Sequence, residues 1–238
     1  MTVISRKASQ RKASCRSVCE DRRVTTPSSR AGRLLLTEAG ALLPVLRDTA
    51  PQAFDLPTVL PGWSVRDVLA HCSAALGMAV TGRFHGFTAE DNARDVAERA
   101  GWPVDRLLAE LADSYSGAAA AMDAADGRMD GLALGEWVHG GDVRNALGRP
   151  DAWASAGLDD ALALLVERSV VRDVPATRVT LTAPGPRREL SLGRADGEQA
   201  VSLETDAAGL IRLCAGRSPD PGGYRLDGAN PSALLMFG

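Results

Sequence analysis

Apolar residues recur at helical spacing through most of the first 150 positions. Between residues 31 and 48, Leu34, Leu35, Leu42, Val45 and Leu46 form one stripe, the three-and-four rhythm that puts side chains on a single helical face. Pro44 lies inside it, so a kink or an early end is expected there. Residues 63–80 carry a second stripe, Val68, Cys72, Ala75 and Ala79, behind a full start signal. Ser64 is a good N-cap, Asp67 can close a capping box with it, and Trp63 can staple against Val68. A looser stretch, 82–101, holds a short helix from Thr88 to about Ala100. Residues 103–125 predict a long helix with Leu107, Leu108, Leu111, Tyr115, Ala118 and Met122 inward and Pro103 in its first turn. A helix over 131–149 follows and stops at Gly148-Arg149-Pro150. Four principal helices with short or moderate connections predict a four-helix bundle.

Beyond Pro150 the pattern changes. Residues 158–173 read as one more amphipathic helix. Strand-like runs follow at 178–182, 189–192 and 200–203, with Pro184-Gly185-Pro186 and Asp196-Gly197 as turns. A helix over 206–215 closed by Gly216, a strand over 223–227 and a helical turn near 231–237 complete a small α+β unit. The expected organisation is a tail over 1–30, a bundle over 31–150 and an α+β domain over 151–238.

The helix over 131–149 carries the candidate chemistry. Leu132, Glu136, His139, Val143 and Ala146 fall at steps of four and three, so one face holds apolar residues together with an acid and a histidine. A buried unpaired carboxylate is costly, and a metal ion would satisfy both polar groups. His71, at the edge of the second stripe, could complete such a site from across the bundle; taken alone it reads as a core-edge histidine. His85, in Phe84-His85-Gly86-Phe87, reads as surface or packing, Cys72 as packing and Trp137 as core.

Composition narrows the function. Of the 27 Lys and Arg, nine lie in residues 1–33 against two of the 30 acids, so the remainder carries a net charge of −10. A body that acidic is a poor nucleic-acid binder. The basic first 30 residues lack a periodic apolar pattern and read as a disordered tail, with an anionic-surface arm or an early start codon as alternatives; without an apolar core they are not a secretory signal. Four scattered cysteines make no disulfide framework and fit a reducing cytoplasm. No run approaches about 18 apolar residues, so no membrane span is expected.

Two segments carry a resemblance. Residues 60–71, LPGWSVRDVLAH, and residues 135–144, GEWVHGGDVR, resemble the mycothiol-dependent maleylpyruvate isomerase family, part of the DinB-like superfamily of metal-binding four-helix bundles. Residues 201–217 resemble that family's C-terminal α+β domain, which is related to sterol-carrier proteins. The resemblance implies a divalent metal, usually zinc, held by His71, Glu136 and His139, with mycothiol as thiol cosubstrate and a small electrophile as substrate. The family often places its Glu four residues before the His; here Gly135 holds that place and Glu136 stands one step closer. Asp142 is an alternative ligand or a partner of one. A metal lowers a thiol's pKa, so the thiolate can add to an electrophilic carbon and then leave, as an isomerase, or stay, as an S-transferase. Arg144 and Arg217 are candidates to bind a carboxylate of substrate or thiol. Two other classes compete: a metal-dependent hydrolase of thiol conjugates, and a non-catalytic DinB-like metal-binding or stress-response module.

Overall fold

The computed structural model describes residues 27–194, 201–219 and 222–237. The basic tail to residue 26 and the Asp196-Gly197 turn lie outside the described residues. Helices α1 (Arg30–Arg47), α2 (Val65–Thr81), α3 (Ala89–Arg99), α4 (Val104–Ala124) and α5 (Asp130–Ala146) come first. In the bundle α4 packs on α1 and α2, and α5 closes the ring against the same two helices, while α3 lies outside against α2.

Local chemistry explains these elements. At the start of α2 the Ser64 amide donates to Asp67 at 2.9 Å and the Asp67 amide donates to Ser64 Oγ at 3.3 Å, a reciprocal capping box. Ser64→Ala should therefore cost about 1 kcal/mol, read as a lower denaturant midpoint; an unchanged midpoint would show the cap to be redundant. Helix α1 runs through Pro44 to Arg47 rather than ending early. Pro44 and Gly40, whose carbonyl loses its donor, both lie on the exposed face, where water can take that place.

The segment 147–157 leads into α6 (Leu158–Val171), which packs on α1 and α5. Strands β1 (Thr177–Leu181), β2 (Arg188–Leu192), β3 (Val201–Thr205) and β4 (Tyr224–Asp227) form one sheet in the order β2-β1-β3-β4. β1 and β3 are parallel and the other pairs antiparallel. Helix α7 (Ala207–Cys214) follows β3 and packs on α6. Alternate residues of β1 and β3 (Thr177, Val179, Leu181; Val201, Leu203, Thr205) are buried, as expected of a sheet covered on one face. One cluster of buried apolar side chains runs from α1 through α6 into α7 and the final segment at Leu234 and Met236. That continuity fixes the α+β part against the end of the bundle where the histidines lie. No described helix is long and apolar enough to cross a membrane.

Candidate functional site

His71 on α2 and His139 on α5 face each other, with ring centroids 5.2 Å apart and planes nearly perpendicular. Trp63 closes one side, its ring edge-on to His71 at 5.3 Å. His71 is buried, and burial first, then the charges of His139 and His85, hold it down to about pKa 3. It is therefore a neutral imidazole at physiological pH, the state a ligand or hydrogen-bonding group needs. Its Nδ1 is buried without a hydrogen-bond partner.

Behind His139 stands Asp142, one helical turn on and fully buried. Its Oδ2 lies 3.4 Å from His139 Nδ1. Arg217, just beyond α7, grips the same carboxylate with Nη2 at 2.6 Å and Nε at 3.2 Å. Burial alone would raise the Asp142 pKa; the bonds from His139 and Arg217 outweigh it and hold the carboxyl below its ordinary value. The α+β domain thus reaches into the bundle and sets the orientation of the group beside His139.

Glu136 is placed differently. Its side chain shares the core face of α5 with Ala133, Gly140 and Val143, while His139 shares a more open face with Leu132, Gly135 and Ala146. Residues 136 and 139 stand about 60° apart around the axis, and the boundary between buried and half-buried positions passes between them. The Cys72 thiol is the hydrogen-bond partner of Glu136, whose Oε2 has none. Burial first, and then the nearby Glu38, push its pKa up to about 8, against the thiol bond. Glu136 is therefore a protonated core acid at neutral pH. Among the described residues no group of three or more His, Cys, Asp or Glu side chains is arranged to hold a metal ion. The residues present fit the nitrogen part of the expected metal site and not its carboxylate part.

Arg144 is not at this cleft face either. It is buried, donates through Nε to the Ala152 carbonyl at 2.9 Å, and forms an ion pair with the fully buried Glu38 of α1. Gly140 makes room for that carboxylate, since any Cβ there would collide with it. Trp137 is core, its indole N–H bonded to Ser155 Oγ at 2.7 Å.

Two features, Glu38 and Phe237, went unread in the sequence, and the partners of His85, read there as surface or packing, were not foreseen. Glu38 interrupts the stripe Leu34, Leu35, Leu42 at helical spacing, which marks a buried acid needing a partner. His85 is half-buried; its Nε2 bonds Asp95 at 2.8 Å and its Nδ1 accepts from the Phe87 amide at 3.1 Å. Phe237, at the far end of the chain, stands 3.9 Å from where a Cβ on Gly135 would be. No local signal announces the last two, because their neighbours are distant or on a loop.

The molecule is a helical bundle with a C-terminal α+β unit, and two histidines face each other across the bundle. Residues 35–149 match the model of the mycothiol maleylpyruvate isomerase N-terminal domain. Two solved structures share the fold. The mycothiol-dependent maleylpyruvate isomerase superposes with a TM-score of 0.52 at 17% identity, over 84% of this chain and 93% of the other. A histidine-to-alanine mutant of it gives 0.53 at 16% identity over the same shares. No curated protein matches the chain.

Proposed function

We propose that the chain is a thiol-dependent isomerase or S-transferase acting on a small electrophile, with mycothiol as the thiol. The match of residues 35–149 to the mycothiol maleylpyruvate isomerase N-terminal domain supports this reading, and so does the likeness in fold to the mycothiol-dependent maleylpyruvate isomerase. The observation that carries it is the facing pair His71 and His139, one held neutral and the other backed by Asp142 and Arg217.

The roles follow from the geometry. His71 is too weak a base to take a proton near neutrality and serves as a neutral wall and hydrogen-bonding group. His139, with the Asp142 carboxylate at 3.4 Å, takes the thiol proton and becomes an imidazolium beside that negative charge. The thiolate adds to the electrophilic carbon of a cis double bond, and the electron pair moves onto the conjugated carbonyl oxygen. Rotation about the new single bond and expulsion of the thiolate give the trans isomer, and the imidazolium returns its proton to sulfur. In transfer the imidazolium instead protonates carbon and sulfur stays bound. Arg217 positions Asp142 and also lines an open cleft of about 780 Å³ with Leu213, Tyr224 and Leu235, room for the non-reacting part of the thiol. Of the metal ligands expected from sequence, this reading keeps His71 and His139 and leaves Glu136 to the core; Arg144, expected as a carboxylate binder, is left to its ion pair with Glu38. His71 and His139 are the residues that would hold a divalent metal, and such an ion would lower the thiol pKa in place of the His139 base. The cytoplasm, where low-molecular-weight thiols are reduced, is the compartment this chemistry needs; Cys72 and Cys214 are buried free thiols.

Incubation with mycothiol and a cis-unsaturated keto acid, followed by mass spectrometry and chromatography, tests the proposal. Isomer or thiol adduct should accumulate, and His139→Ala should cut the rate by about 10²-fold or more. Equal rates in the wild type, the variant and a protein-free control would leave the second reading, a non-catalytic binding module, which the inward turn of Glu136 favours.

A further inference from the structure

Arg144 borders another cleft, well round α5 from His139: residues 139 and 144 stand about 140° apart around the helix axis. This cleft has a volume of about 300 Å³ and lies between α1 and the segment 149–156. Ala41 and Val45 of α1 and Ala154 give it apolar walls, and Arg149, Asp151 and Ser155 line it too. Arg144 is 4% exposed, and its guanidinium is not fully used. Nε donates to the Ala152 carbonyl and Nη1 pairs with Glu38. Among the described residues the buried Nη2 has no hydrogen-bond partner. A guanidinium keeps its charge and its five N–H donors, so an idle nitrogen on a buried one is costly. Arg149 is a second cation at the same cleft. Its ion pair with Asp151 is long, at 3.9 Å, and mostly exposed, so Arg149 can turn to another acceptor at little cost.

We infer that this cleft binds a small organic monocarboxylate, which accepts from Arg144 Nη2 and from Arg149 and lays its short apolar part on Ala41, Val45 and Ala154. Glu38 already balances Arg144. Arg149 can match one further negative charge and not two. A phosphate dianion would therefore bring an uncompensated charge beside Glu38 and leave oxygens unbonded against alanine and valine. A carboxylate needs two donors, gains charge-assisted bonds from both, and carries a hydrocarbon end suited to those walls. The site is separate from His71 and His139 and does not depend on the thiol chemistry.

Titration of the full chain with sodium butyrate, at ionic strength held constant with sodium chloride, tests this. Trp137 reports on the cleft, because its indole N–H donates to Ser155 Oγ at 2.7 Å and Ser155 is part of the wall. The Trp137 indole resonance should shift and saturate with a Kd of about 1–10 mM, weak because ordering a small ion offsets much of its gain. Inorganic phosphate should bind at least about 10-fold more weakly. Arg149→Ala should weaken butyrate binding by about 5- to 10-fold, and Ala154→Phe should fill the cleft and abolish saturation. Both positions are exposed, so folding is not at stake. His139→Ala should bind butyrate as the wild type does. A wild type without a saturable shift would show that water alone completes Arg144, and would overturn the inference. Phosphate binding as tight as that of butyrate would overturn it as well. So would a titration unchanged by both Arg149→Ala and Ala154→Phe, or one lost in His139→Ala, since the carboxylate would then sit elsewhere.

Discussion

Glu38→Ala will lower the stability of the fold by about 3–5 kcal/mol, the cost of leaving a buried charge without its partner. Arg144 is 4% exposed and Glu38 is fully buried, so neither can turn to solvent. The two removals are not equivalent. A guanidinium does not shed its proton, so without Glu38 the core must keep an uncompensated cation. A carboxyl can neutralise itself, and burial already raises the Glu38 pKa against the pull of Arg144. Arg144→Met should therefore cost less than Glu38→Ala, because Glu38 takes up a proton. In a chain of this length the larger loss corresponds to a fall in Tm of roughly 10 °C. Thermal melts and denaturant titrations of both variants check the order. A larger loss in Arg144→Met would show that the guanidinium's bond to the Ala152 carbonyl, rather than the ion pair, holds this part of the core.

Stability should also depend on pH on both sides of a plateau. Glu136 has its folded pKa raised to about 8 from an ordinary 4.5. Its contribution is fully present below about pH 4.5 and is lost as pH rises through 8, since only the unfolded chain ionises there. His71 has its folded pKa lowered to about 3 from 6.5. Its contribution is fully present above 6.5 and is lost as pH falls toward 3, because only the unfolded chain gains the proton. Between about 4.5 and 6.5 the two slopes oppose each other. Above that window stability should fall by a few kcal/mol up to pH 8, and Glu136→Gln should flatten that limb while leaving the acid limb in place. Asp142 and Glu110, both held below their ordinary values, add to the acid limb. Denaturant midpoints measured from pH 4 to 9 provide the test. An alkaline limb that survives Glu136→Gln would show that the acid is solvated and that its place in the core is misassigned.

Much of this architecture was legible from spacing alone. The stripes of α1, α2 and α4, the capping box at Ser64 and Asp67 and the change of texture after Pro150 follow from local pattern and helical geometry, whereas the pairing of His71 with His139 was implied by the family resemblance. The face of α5 did not resolve in the same way. Leu132, Glu136, His139, Val143 and Ala146 fit one broad face by count, yet the structure divides it. Glu136 and Val143 lie on the core side, and His139 lies with Gly135 on the open side. A period of 3.6 residues locates a face only to within some tens of degrees, and the neighbours of α5 decide which edge of it is wet. The basic tail, the division of the chain at residue 150 and the cytoplasmic setting remain expectations.

The sequence by itself determined which segments become helices and strands and which sides of them are apolar, because those properties depend on residues only a turn or two apart. The tertiary structure alone decided that His71 and His139 face each other, that Glu136 is a protonated core acid, that Arg144 belongs to Glu38, that Arg217 crosses from the second domain to Asp142, and that Phe237 stands beside Gly135. Each of these joins parts of the chain that no local spacing relates, and each turns on whether a polar group is cheaper to bury with a partner or to leave facing the cleft.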